Sequence, residues 1–106
     1  MYNRRFDMGQ LWAVKGDPNS HGSGALNADN PNTVFVNNIA VIDHGPDSAA
    51  PDALCDPIGP PHCSPDTAAG SGTVFVYNKP AHRNNDPRVC GAVTVVSLQS
   101  TVFLDG

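Results

Sequence analysis

The sequence predicts an all-β domain built as a pseudo-threefold repeat of β-hairpins, and three observations carry this prediction. A short string, Thr-Val-Phe followed by Val or Leu, occurs three times, at positions 33–36, 73–76 and 101–104. Eleven or twelve positions before each copy stands a residue that can bind a metal, namely His21, His62 and Cys90. Gly and Pro number ten each, which favours many turns over long helices. A repeat of this kind would arrange its strands, and its three ligands, around one axis.

Length and charge narrow the possible functions. The chain has 106 residues, which predicts one folded domain, and we divide it into an N-terminal arm at 1–15 and a repeat domain at 16–106. The formal net charge is −4 with only six Lys and Arg, so a nucleic-acid partner is disfavoured. No apolar run approaches the roughly 20 residues of a transmembrane helix.

The cysteines are predicted to be thiols or metal ligands. There are three, an odd number, which disfavours a closed disulfide framework. The N-terminal residues lack the apolar stretch of a signal peptide, so we expect folding in a reducing compartment. Cys90 is singled out by its position in the repeat, Cys55 is a candidate ligand, and Cys63 is expected to be spare.

Each copy of the string predicts a strand, because Val and Phe favour strands. Asn37-Asn38 follows the first copy and Tyr77-Asn78-Lys79 the second, so both copies are predicted to be hairpins. The third copy has no returning strand after it. We expect it to pair with the segment 11–14, which would close the ring and place Trp12 in the core. The segment 93–98 is the best remaining strand.

Two turns share one pattern beside a candidate ligand. Positions 17–22 and 86–91 both read Asp-Pro-x-x-ligand-Gly, where the ligand is His21 or Cys90. Asp and Pro favour a turn, and Gly allows the backbone to bend sharply next to the ligand. The pattern therefore predicts that both turns present their ligands in the same way.

The middle repeat carries an insertion. From Thr33 to His62 there are 29 positions, against 17 from Thr73 to Cys90. The extra residues fall within 43–61, a stretch rich in Pro, Asp and Ala that is predicted to be a loop without helix.

A structural zinc site takes four Cys or His ligands in a tetrahedron, and the repeat supplies three of them. The fourth is expected from the insertion that breaks the symmetry. Cys55 ranks first because it lies seven residues before His62, and His44 ranks second. His82 ranks third and is expected at the surface or in an interface. Four protein ligands would leave no open position, which makes the zinc structural.

The chain resembles the PAAR-repeat family, named for a Pro-Ala-Ala-Arg motif. The residues that carry the resemblance are 79–83, Lys-Pro-Ala-His-Arg, followed by Asp86-Pro87 and Cys90-Gly91. A His stands where the motif has its second Ala, and the first copy, at 39–42, lacks both the Pro and the Arg. The resemblance spans about 16–104 and is nearest to the short bacteriophage members.

The resemblance implies a small β-rich cone with a zinc near its apex. Such a cone sits, one per trimer, as the tip of a β-helical spike in a contractile phage tail baseplate, and it sharpens the spike for piercing a cell envelope. A tip secreted on a type VI spike is the alternative. The family's ligand sets are mostly histidine, which favours His44 as the fourth ligand. With few residues outside the repeat region, a bare tip without a toxin domain is expected.

Two other classes of function compete with this one. An enzyme is disfavoured, because no H-E-x-x-H or G-x-S-x-G motif occurs and so small a chain has little room for a deep pocket. A generic zinc-stabilised interaction module would use the same ligands without the spike.

Overall fold

The computed structural model of the chain describes residues 9–28, 31–45 and 49–104. Within these residues the regular elements are six two-residue strands and one helical turn. They are β1 (Gln10–Leu11), β2 (Phe35–Val36), β3 (Ile39–Ala40), α1 (Cys55–Ile58), β4 (Phe75–Val76), β5 (Lys79–Pro80) and β6 (Phe103–Leu104). The fold is therefore all-β, as the sequence predicts. Residues 1–8 of the predicted N-terminal arm lie outside the described residues.

Both predicted hairpins form. Strand β2 pairs antiparallel with β3, and β4 pairs in the same way with β5. The two turn residues of each hairpin have positive φ: 52° and 69° at Asn37 and Asn38, and 54° and 63° at Tyr77 and Asn78. Two consecutive left-handed residues match the right-handed twist of the flanking strands.

Tyr77 is an unusual residue for a left-handed turn, and its contacts account for it. Positive φ is disfavoured for a bulky side chain. The hydroxyl of Tyr77, however, accepts hydrogen bonds from the backbone N–H groups of Thr33 and Val34, at 2.8 Å each. The second hairpin is thereby tied to the start of the first copy of the repeat.

The third copy pairs with the N-terminal strand Gln10–Leu11, so the predicted pairing with 11–14 is confirmed only at the start of that segment. Strand β6 lies antiparallel to β1, with Leu11 opposite Phe103. The backbone N–H of Trp12 then donates to the carbonyl of Val102 at 3.0 Å. The same contact recurs in the hairpins, where Val41 donates to Val34 and Ala81 to Val74. All three copies of the string thus use one backbone pattern.

The segments that follow these strands are joined in a closed cycle of backbone hydrogen bonds. Ala13 donates to the carbonyl of His82 at 2.9 Å, His82 donates to Ile42 at 3.0 Å, and Ile42 donates to Ala13 at 3.0 Å. All three residues are fully buried. Antiparallel bridges join the same segments, with Trp12 opposite Arg83 and Val14 opposite Val41. The cycle is the structural centre of the chain.

Two small apolar clusters flank this centre. The hairpin cluster consists of Val14, Val36 and Val41, with partly buried neighbours that include Trp12. Trp12, predicted in the core, is only partly buried and packs against this cluster, and its indole N–H donates to the carbonyl of Ile42 at 3.3 Å. The second cluster is made mostly of alanine: Ala13, Leu26, Ala28, Ala40, Ile42 and Ala49. Alanine lets the segments approach closely, so the backbone cycle can form.

Two predictions about local structure need correction. Within 93–98, only Val93 and Thr94 make β-bridges, so no continuous strand forms there. The insertion at 43–61 is not wholly loop, because α1 lies in it. Across the part of the chain that the structure describes, no helix has the length and apolar character needed to cross a membrane.

Candidate metal centre

Four side chains with metal-binding atoms converge at the ends of three turns. They form the ligand cluster: His21, Asp52, His62 and Cys90, whose ligand atoms all lie within 4.8 Å of one another. Three of the four residues predicted as ligands therefore come together. The group can hold a metal ion.

The two Asp-Pro turns position His21 and Cys90 with the same local contacts. The carboxylate of Asp17 accepts the backbone N–H of Val14 at 2.8 Å, and that of Asp86 accepts the backbone N–H of Arg83 at 2.8 Å. In each turn, the Asp side chain therefore holds the backbone three residues before it in place.

The glycine after each ligand adopts the left-handed conformation that the pattern predicts. Gly22 has φ +96° and Gly91 has φ +92°. Each closes a tight turn by donating its N–H three residues back, to Asn19 and Arg88 respectively, at 3.1 Å. Only glycine takes such φ values without strain. His21 and Cys90 are therefore held at the corners of rigid turns.

A loop at 52–62 supplies the other two members of the ligand cluster: Asp52 lies within the insertion, and His62 directly follows it. The two residues stand at the ends of this loop, where the N–H of Asp52 donates to the carbonyl of His62 at 2.9 Å. Between them lies α1, and a disulfide joins Cys55 to Cys63. The disulfide closes the loop beside His62, so both members are tethered at its base.

Cys55 is not available as the fourth ligand, because its sulfur is bonded to Cys63. The expectation that all cysteines would remain thiols or metal ligands is wrong for this pair, and Cys63 is not spare. Cys90 alone of the three is free. Asp52 occupies the place for which Cys55 was the first candidate.

Asp52 is the hub of the ligand cluster. Its Oδ2 lies 3.3 Å from Nδ1 of His21, 3.3 Å from Nδ1 of His62 and 3.4 Å from Sγ of Cys90. A tetrahedron with bond lengths of about 2.0–2.3 Å has edges of about 3.3–3.8 Å. The distances around Oδ2 fall in this range, as does the 3.8 Å between Cys90 Sγ and His21 Nδ1. The other oxygen, Oδ1, accepts the N–H of Leu54 at 2.9 Å, which leaves Oδ2 to face the cluster.

The electrostatics of the cluster favour a cation. Burial raises the pKa of Asp52, but its hydrogen bonds outweigh this and hold the pKa far below the usual range. The donors are Leu54, Asn19, His62 and Cys90. Burial also raises the pKa of the Cys90 thiol, and the nearby Asp52 carboxylate adds to the shift. A metal ion bound here would displace the thiol proton and neutralise the buried negative charge.

Access to the cluster is uneven. The Asp52 side chain is fully buried, whereas that of His21 is 25% exposed. The imidazole rings of His21 and His62 lie with centroids 5.0 Å apart. Solvent therefore reaches the cluster past His21.

The two alternative fourth ligands lie elsewhere. His44 places Nδ1 3.1 Å from the hydroxyl of Thr67. His82, expected at a surface, is fully buried in the backbone cycle, and that expectation is wrong. Its Nδ1 donates to the carbonyl of Ala69 at 2.7 Å, so its Nε2 accepts from the hydroxyl of Thr94 at 2.6 Å. Burial is the main cause that lowers the pKa of His82 to about 4, which keeps it neutral at pH 7.

The sequence prediction does not include Asp52, because it takes its ligands from Cys and His alone. One signal could have found it: Asp52 lies in the insertion that the repeat marks as the source of the fourth ligand. Carboxylate oxygen is also an ordinary zinc ligand. A comparison with models of known protein families found no match to this chain, and a comparison with curated proteins found none either.

Proposed function

We propose that this chain is a structural tip protein that caps the trimeric β-helical spike of a contractile injection machine, in the first place a phage tail baseplate. The observation that carries the proposal is a set of three exposed phenylalanines, one in each copy of the repeated string. Phe35, Phe75 and Phe103 are 54%, 58% and 48% exposed, while the residues on either side of each are at least half buried.

The copies also meet at their turn ends. The side chain of Asn37, in the first hairpin turn, donates to the hydroxyl of Thr101 at 3.0 Å, and Tyr77, in the second, binds Thr33. Three equivalent strand pairs that are joined through their turns, each with an exposed phenylalanine, suit a partner that offers three equal surfaces. A trimer does so. The cycle of Ala13, Ile42 and His82 supports a pseudo-threefold axis through the chain.

In this proposal the ligand cluster holds a structural zinc that tightens the leading point of a cone. Mixed nitrogen, oxygen and sulfur ligands suit zinc, and four of the six separations between the ligand atoms match a tetrahedron. Asp52, His62, His21 and Cys90 would each give one atom, which leaves the ion no open position for catalysis. The zinc would lock together three turns that few apolar contacts hold, and so resist deformation on contact with a cell envelope.

Mixing the chain with the trimeric β-helical spike fragment of the same genome tests the proposal, with native mass spectrometry as the readout. We expect one chain per trimer. Changing Phe35, Phe75 and Phe103 together to Ser should abolish the complex without lowering the melting temperature, because these side chains are exposed. The matched control is Ile58→Ser in α1, an equally exposed apolar side chain outside the strands, at 63%.

Two results would contradict the proposal. One is a chain that stays alone beside an intact trimer. The other is a 1:1 complex with a single spike chain, which would favour a generic zinc-stabilised interaction module. A complex that survives the triple substitution would show that the phenylalanines are not the docking surface.

A further inference from the structure

Asn19 lies against the ligand cluster without belonging to it. Its side-chain Nδ2 is 3.0 Å from Oδ2 of Asp52 and makes a longer contact of 3.9 Å to Sγ of Cys90. Its Oδ1 accepts the backbone N–H of His21 at 3.0 Å. The side chain is buried, with Asn19 only 3% exposed. One amide thus touches three of the four residues that can hold the metal.

The same backbone position in the other two turns shows that this placement is particular to Asn19. Asn19, Asp52 and Arg88 each donate their backbone N–H across the turn, to Ser23, His62 and Ala92. Asp52 is itself a member of the cluster. The Arg88 side chain does not join the ligand cluster. Its guanidinium donates to the carbonyls of Gly24, Pro65 and Asp17 instead. The three equivalent positions therefore carry three different side chains. Asp52 is a candidate ligand, Asn19 lies beside the ligands, and Arg88 is a buried cation that binds backbone carbonyls.

The absence of a side chain at Gly24 leaves the space that the Asn19 amide occupies. Gly24 has φ +75°, and a Cβ added there would lie 2.7 Å from Nδ2 of Asn19, 3.0 Å from its Cγ and 3.2 Å from Cβ of Asp52. Contacts this short would force the amide to move. Glycine at this position therefore serves both the backbone conformation and the placement of Asn19.

We propose that Asn19 is a positioning residue that sets the strength of metal binding and the electron density on the Cys90 sulfur; this rests on the metal binding proposed above. Asn19 orients Asp52 through one N–H and donates weakly to the sulfur through the other. Partners that hold ligands in place in this way typically contribute about 10- to 100-fold to metal affinity. A hydrogen bond to a thiolate also stabilises its lone pairs, which raises the energy of thiolate-to-metal charge transfer.

Cobalt(II) is a suitable probe, because its thiolate charge-transfer band reports directly on the sulfur. The variant Asn19→Ser keeps an oxygen that can accept the His21 N–H but cannot reach Asp52 or Cys90. We expect it to weaken Co(II) binding about 10- to 100-fold and to move the charge-transfer band to lower energy. The metal-free variant should melt within a few degrees of the metal-free parent.

Gly24→Ala should act in the same direction by displacing the amide, and it also crowds Cβ of Asp52 at 3.2 Å. The control is Gly72→Ala, which introduces a Cβ into open space outside the ligand turns. It should leave the band unchanged.

The outcomes separate this inference from the proposed function. A parent protein with no Co(II) spectrum overturns the role of Asn19 together with the metal binding on which it rests, whereas the docking of the phenylalanines is decided by the complex with the spike. A parent with a thiolate band that is unchanged in Asn19→Ser, in energy and in affinity, overturns only the role of Asn19. A third outcome is that Asn19→Ser binds Co(II) more weakly, keeps the band energy of the parent and loses as much stability without metal as it loses in binding free energy. Asn19 would then have a merely structural role, and the proposal would be overturned as well.

Discussion

The hairpins and the ligand turns are repeated in different ways. In the two hairpins and in the pair of β1 with β6, sequence and backbone repeat together. Each copy of the string has an antiparallel partner strand and an exposed phenylalanine. In the turns, the backbone contacts repeat but the side chains diverge. Asn19, Asp52 and Arg88 make one kind of backbone hydrogen bond and carry an amide, a carboxylate and a guanidinium.

The difference shows which part of a repeat fold can bind a symmetric partner and which part can form a metal site. Identical side chains around an axis suit a threefold partner. A metal site needs unlike neighbours, since four ligands cannot come from three identical positions. The loop between Asp52 and His62, most of which belongs to the insertion, breaks the equivalence of the turns and carries two members of the ligand cluster at its ends.

Removing the metal should give the largest effect, and that effect should come from the ligand turns and not from the hairpins. If the ligand cluster binds zinc with a free concentration 1,000 times the Kd, binding stabilises the fold by about 4 kcal/mol. At about 4–8 °C per kcal/mol for a small domain, a chelator should lower the melting temperature by roughly 15–30 °C. Calorimetry with and without a chelator measures this.

The variant Asp52→Ala supplies the control for the chelator. It should already melt low and respond little to chelation. A chelator effect of equal size in this variant and in the parent would place the metal elsewhere.

Acid should weaken the centre of the fold through His82. Its pKa is lowered to about 4 by burial first, with Arg88 and His44 acting in the same direction and Asp86 and the Ala69 carbonyl opposing. The unfolded chain binds a proton near pH 6.5, so the stabilisation is complete above pH 6.5 and is lost as pH falls towards 4. The loss is of order 3 kcal/mol.

Denaturant titrations of metal-free protein between pH 7 and 4 measure this loss. The variant His82→Gln should be less stable at pH 7 but have a flatter pH dependence. An identical slope in the two proteins would show that another group titrates.

The disulfide should matter for the ligand turns and not for the hairpins. Closing a loop of about nine residues is worth about 2–3 kcal/mol in the chain-entropy model. Replacing Cys55 and Cys63 together by Ser should lower stability by that amount and weaken metal binding, because Asp52 and His62 stand at the two ends of the loop. Metal titration followed by calorimetry gives both numbers. Unchanged metal affinity in the double variant would separate the disulfide from the ligand cluster.

A substitution in the hairpin cluster should have the smallest effect and leave the metal untouched. Val36→Ala removes two buried methyl groups and should cost about 2 kcal/mol. Because Val36 lies in the hairpin cluster and not in the ligand cluster, the loss should be the same with and without metal. Val95→Ala, at an exposed position, is the matched control and should be near neutral. A metal-dependent loss in Val36→Ala would mean that the two regions are coupled.

The sequence predicted the hairpin region well, because strand propensity and turn chemistry act locally. The recurring Thr-Val-Phe string, Asn37-Asn38 and the pairing of the third copy with Leu11 were all predictable from such rules. His21 and Cys90 were predictable because the repeat gives their register, whereas His62 joins them from the place that Ser23 and Ala92 take in the other two turns.

The fourth member of the cluster was not predictable in this way. Whether Cys55 meets a metal or Cys63 depends on how the inserted loop folds, and no repeat constrains that loop. The burial of His82 was missed for a related reason. A histidine in a strand-like segment suggests a surface, but in this fold a carbonyl and a hydroxyl satisfy both of its ring nitrogens in the interior.

The most direct test of the central claim is the metal content of the purified full chain, measured by elemental analysis together with native mass spectrometry. We predict one zinc per chain in the parent protein and less than a tenth of that in a variant with both Asp52→Ala and His62→Ala. A parent protein that carries no metal, or a double variant that keeps a full equivalent, would contradict the account.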